Sequence, residues 1–132
     1  MKDIAVSSCI VLLGCPEFTA VWLPHGATSS SLAFELGYEQ GVSEPIDLRE
    51  LRVHVCGTNS ASRMGVAIWI ISRETNERLS QVRFGETPMG FKSESKPPNL
   101  TPGCYIVQIS GTGRMKFQVL NDGRVVDLGP PW

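Results

Sequence analysis

Tyr105-Ile106-Val107-Gln108-Ile109-Ser110-Gly111-Thr112-Gly113-Arg114-Met115-Lys116-Phe117-Gln118-Val119 is the stretch that decides the fold class. Side chains of an extended chain alternate with a period of two, so Tyr105, Val107 and Ile109 share one face. Gly111-Thr112-Gly113 interrupts the pattern, and Met115, Phe117 and Val119 then resume it. Asn121-Asp122-Gly123 interrupts again before Val125-Val126-Asp127-Leu128. Short glycine turns between alternating runs predict a three-stranded antiparallel meander.

Upstream, the same period recurs. Leu32, Phe34, Leu36 and Tyr38 fall on one face with Glu35 opposite, and Leu51, Val53 and Val55 alternate with Arg52 and His54. Val66-Ala67-Ile68-Trp69-Ile70-Ile71 is apolar on both faces, which predicts a central strand covered on both sides, with Trp69 in the core. Glu74-Thr75-Asn76-Glu77 reads as a polar turn, and Ser80, Val82 and Phe84 begin a return strand. Residues 85–103 hold Pro88, Pro97, Pro98 and Pro102 with Gly85, Gly90 and Gly103, a long connection of the kind that carries function. No 3.6-residue apolar stripe exceeds two turns. Seven or eight short strands without helix predict an all-β, antiparallel two-sheet sandwich, immunoglobulin-like or jelly-roll-like.

Composition agrees with one globular domain. The chain has 132 residues, 42% hydrophobic and 19% charged, enough to bury a core and too apolar for a disordered chain. Twelve Lys and Arg against 13 Asp and Glu give a net charge of −1. That balance supplies neither the basic footprint of a nucleic-acid binder nor a polybasic membrane patch.

The motifs of common chemistries are missing. No G-x-S-x-G, H-E-x-x-H, Walker A or G-x-G-x-x-G occurs. A hydrolytic triad would have to use His25, in a Pro/Gly segment, or His54, on the polar face of a strand. Glu35, Glu39 and Glu44 read as a solvated strand and turn rather than paired glycosidase carboxylates. Without C-x-x-C or a histidine cluster, no metal site is expected. No cofactor or small-molecule substrate is expected either. Asn99-Leu100-Thr101 reads as a turn.

The N-terminus carries a different signal. Met1-Lys2-Asp3 precedes the apolar run from Ile4 to Leu13 and then Gly14-Cys15-Pro16. A cationic start, a short apolar run and a small-residue break form a secretory signal pattern. The run is too short for a spanning helix, which needs about 20 residues. Leu12-Leu13-Gly14-Cys15 resembles the lipobox of bacterial lipoproteins, which implies lipid attachment at Cys15. The other reading is a retained segment that forms a buried first strand. On the lipobox reading, residues 1–14 are signal, 15–31 a tether containing one short strand, and 32–132 the sandwich domain. Cys9 then leaves with the signal, and Cys56 and Cys104 remain as strand-end partners for a disulfide in an oxidising compartment. Two unpaired, buried cysteines are the alternative.

Arg83-Phe84-Gly85-Glu86-Thr87-Pro88-Met89-Gly90-Phe91, then Pro97 to Val107, Ile109 to Gly113, and Asp122-Gly123-Arg124-Val125 complete the resemblance. With the lipobox-like start, the chain is similar to a group of small, mostly uncharacterised bacterial envelope lipoproteins. The resemblance implies a non-enzymatic, membrane-extrinsic accessory protein on the periplasmic side, anchored by lipid and docked on a larger membrane protein complex. By analogy of type, such a complex includes a photosynthetic reaction centre within its antenna ring. Trp22, Pro88, Phe91 and Trp132 are the candidate partner contacts. A ligand- or carbohydrate-binding module is the alternative, with Tyr38, Phe91 and Trp132 as its exposed aromatics. An inhibitor or immunity protein is a third.

Overall fold

The computed structural model describes residues 18–57 and 64–130. The meander forms where the alternation places it. In the order of the chain, the strands are β1 (Ala20–Trp22), β2 (Ala33–Gly37), β3 (Glu50–Cys56), β4 (Met64–Arg73), β5 (Gln81–Arg83), β6 (Phe91–Ser93), β7 (Gly103–Ile109), β8 (Arg114–Val119) and β9 (Val125–Asp127). Tyr105 stands opposite Phe117 and Val107 opposite Met115, while Val119 faces Val125. Gly111 and Gly123 both take φ near +89°, the left-handed conformation that lets each turn reverse without a Cβ clash.

All pairings are antiparallel, in two sheets. One sheet has the order β6-β4-β3-β7-β8-β9 and the other β1-β2-β5. The described residues contain no helix. The fold is therefore the all-β, two-sheet architecture that period-two patterning predicts.

The core lies between the sheets. Phe34 and Leu36 of β2 face Leu51, Val53, Trp69, Ile71, Val107 and Phe117 of the larger sheet, and all are buried. Phe34 meets Phe117 with ring centroids 5.8 Å apart, Phe117 stacks on Tyr105 at 5.5 Å, and Trp69 meets Phe84 edge-on at 5.0 Å. Burying each of these rings stabilises by roughly 1.5–3 kcal/mol against leaving it in water.

Three expectations are corrected. First, β4 is not covered on both sides. It lies next to the edge strand β6, and Val66 is 73% exposed. Only one face of the larger sheet meets the smaller one, so an apolar strand end is left in water. Second, β5 does not return to β4. It pairs with β2, setting Phe34 opposite Val82, because residues 74–80 cross from one sheet to the other instead of closing a hairpin. Ile46 and Leu79 form a bridge along that crossing. Third, the Pro-rich connection contains a strand: β6 pairs with the end of β4, Phe91 opposite Arg73.

The described part of the stretch read as a tether, 18–31, is woven into the sandwich. Val21 is 2% exposed and stands opposite Leu36 in the pairing of β1 with β2. Val125 N donates to Ala27 O at 3.0 Å and Ser29 N to Gly123 O at 2.8 Å. These bonds also cover the outer edge of β9, which would otherwise offer open backbone groups for pairing.

Candidate functional site

Cys56 ends β3 and Cys104 lies at the start of β7. Because Val55 stands opposite Tyr105, the register carries the next residue of β3 to the previous one of β7. The two cysteines meet with Cα atoms 5.4 Å apart and form a disulfide. The bond ties two neighbouring strands at one end of the larger sheet.

At the other end, Thr19 locks the beginning of the described chain onto the β7–β8 turn. Its Oγ1 donates to Ser110 O at 2.9 Å and accepts from Gly113 N at 2.8 Å, while its own N donates to Thr112 Oγ1 at 3.2 Å. Thr19 is buried, whereas the preceding Phe18 is 57% exposed. Nothing in the local pattern distinguishes this threonine, since its partners lie more than ninety residues away.

The outer face of the larger sheet carries a concavity of about 310 Å³ lined by residues including Glu50, Arg52, His54, Met64 and Gln108. Glu50 Oε1 accepts from Arg52 Nε at 2.8 Å, and this bond, with the charge of Glu50, holds the guanidinium pKa above its ordinary value. His54 lies on that sheet face, as the alternation predicts, between Ala67 and Ile106 of the flanking strands. It is nonetheless 9% exposed, because both neighbours are apolar and Nδ1 is 2.9 Å from Gly65 O. A carbonyl only accepts, so Nδ1 carries the hydrogen. Nε2 is buried without a partner. Among the described residues neither ring nitrogen of His54 hydrogen-bonds a carboxylate or a hydroxyl, and His25 is exposed. No cluster of three or more metal-ligating side chains occurs among the described residues.

The other candidate residues separate. Trp22 is half-buried, its ring packed over Gly37, where a Cβ would stand 3.2 Å from Trp22 Cη2 and would collide with the Val42 carbonyl oxygen. Pro88 is half-buried and its carbonyl accepts from Phe91 N at 3.1 Å, closing a turn. Phe91 is 7% exposed and belongs to the core, which removes it both as a partner contact and as part of a sugar-stacking platform. The exposed apolar side chain of this turn is Met89, at 87%. Tyr38 is half-buried, and its hydroxyl accepts from Asp47 N and Arg78 Nη1, both at 3.2 Å. Glu35 accepts from Gln81 Nε2 at 2.6 Å across the smaller sheet. Residues 1–14, Cys15 and Trp132 lie outside the described residues. No helix among the described residues is long and apolar enough to cross a membrane.

The chain matches no protein-family model, no curated protein and no solved structure.

Proposed function

We propose that this chain is a non-enzymatic, membrane-extrinsic accessory lipoprotein of the bacterial envelope, anchored through Cys15 and docked on a larger membrane protein complex. The observation that carries the reading is the Cys56–Cys104 bond. Structural disulfides persist in oxidising compartments such as the periplasm and are rare in the cytosol. The lipobox-like Leu12-Leu13-Gly14-Cys15 supplies the route there and the anchor. A diacylglyceryl group with a further acyl chain holds a protein firmly, whereas one chain alone holds it marginally. With a net charge of −1, attachment rests on lipid and surface contacts rather than on attraction to anionic headgroups.

Intact mass of the protein purified from native membranes tests the reading, with and without reductant. The expected species is the chain from Cys15 onward, 132 less 14 or 118 residues, carrying lipid and gaining two hydrogens on reduction. Crosslinking in the same membranes should join it to an integral membrane protein. An unprocessed 132-residue mass without lipid overturns the anchor, and a chain that crosslinks to nothing overturns the accessory role.

A further inference from the structure

One end of the larger sheet is a continuous hydrogen-bonded rim. Glu74 N donates to Gly90 O at 2.7 Å, Arg73 N to Arg49 O at 2.9 Å, Arg49 N to Ser110 Oγ at 3.0 Å, and Thr19 Oγ1 to Ser110 O at 2.9 Å. Two strongly exposed apolar side chains stand on this rim, Phe18 and Met89. Between them Asp47 binds Arg73 and lies 4.0 Å from Arg49, and Glu74 and Glu77 are exposed beside Gly90.

The point where the chain enters this rim sets what the rim can face. Thr19 is held by the bonds to Ser110, Thr112 and Gly113, and only Pro16 and Glu17 separate Phe18 from Cys15. At 3.3–3.6 Å per residue, the Cys15 Cα lies within about 11 Å of the Phe18 Cα. A long tether would let the domain tumble above the bilayer, and this one is too short for that. We infer that the rim of Phe18, Met89 and the β7–β8 turn rests against the headgroup region of the bilayer, a reading that depends on the lipid anchor proposed above. The Cys56–Cys104 end, seven residues along β3 at about 3.3 Å each, is held about 20 Å farther out. Phe18 and Met89 then insert among the headgroups while the charged groups of the rim stay in water.

Single-site fluorescence quenching tests this orientation. Met89→Cys on the rim and Asn121→Cys at the opposite end both replace exposed residues. On the lipoprotein reading, each is the only free thiol in the processed chain. The lipidated variants, labelled with bimane, are placed in phosphatidylethanolamine–phosphatidylglycerol vesicles carrying a nitroxide on the headgroup, after intact mass has established the state of Cys15. An unchanged unfolding temperature shows that the labelled chains are folded. Quenching several-fold stronger at position 89 than at position 121 is expected. Equal or reversed quenching with lipid on Cys15 overturns the orientation and leaves the lipoprotein reading standing. A mass without lipid overturns the lipoprotein reading itself, and the orientation with it.

Discussion

Thr19 Oγ1 accepts the backbone N–H of Gly113 at 2.8 Å, joining residues 94 apart in the chain. The contact needs glycine: a Cβ at position 113 would stand 2.6 Å from Ile109 Cγ1 and 3.0 Å from the Thr19 hydroxyl. One threonine thus closes the β7–β8 turn and fixes the start of the smaller sheet against the larger one.

Thr19→Val keeps the shape and removes the hydroxyl, leaving Ser110 O and Gly113 N without their partner. The expected loss is about 1–3 kcal/mol, the cost of buried groups left unpaired. Urea unfolding checks it, with Thr19→Ser retaining most of the stability. Equal midpoints for the valine variant and the native chain would contradict the role given to this hydroxyl.

Reducing the disulfide releases a loop of 48 residues in the unfolded chain. In the chain-entropy account the bond contributes about 4 kcal/mol. Cys56→Ala with Cys104→Ala, or reductant added to the native chain, should lower the unfolding temperature markedly and by similar amounts. A shift with the reductant that the double variant does not reproduce would point to a different bond.

Phe117 touches both Phe34 across the core and Tyr105 along its own sheet. Phe117→Ala should cost about 3–5 kcal/mol, the range for an aromatic deleted from a packed interior. In a double-mutant cycle with Phe34→Leu, the two costs should fall short of additivity by about 0.5–1.5 kcal/mol. Strict additivity would mean that the sheets are held together by other contacts.

Asp122 accepts from Arg124 N at 3.0 Å, and its other oxygen from Arg124 Nε at 2.8 Å. The backbone N–H of Arg124, and after it the guanidinium, hold the carboxyl below its ordinary pKa. A lowered folded pKa gives a contribution present above the unfolded value of about 3.9 and lost as pH falls through the folded one. An NMR titration should therefore place the Asp122 midpoint below that of an unstructured aspartate. Arg124→Gln keeps the backbone donor and should raise the midpoint only in part.

Much of this fold is legible in the sequence because much of it is local. The alternation from Tyr105 to Leu128, broken at two glycine turns, contains its own pairing instructions, since adjacent strands joined by short turns have few other partners. Trp69 was likewise readable as core from its apolar surroundings. Phe91 was not: a short run between Pro88 and Pro97 gives no period, and its burial depends on β6 reaching the end of β4. Met89, two residues earlier, carries the exposed surface expected of Phe91. The candidate site divides in the same way, with the Cys56–Cys104 pairing foreseen and Thr19 hidden.

By itself, the sequence determined that the chain is all-β, which faces of its strands are apolar, and which cysteines remain to pair beyond the lipobox-like start. Only the tertiary structure decided which sheet each strand joins, that 18–31 is docked rather than loose, and that Val66 stays in water. The physical reason is range. Periodicity and turn chemistry act over a few residues, whereas covering a sheet face or satisfying Gly113 N depends on groups the chain brings back from far away.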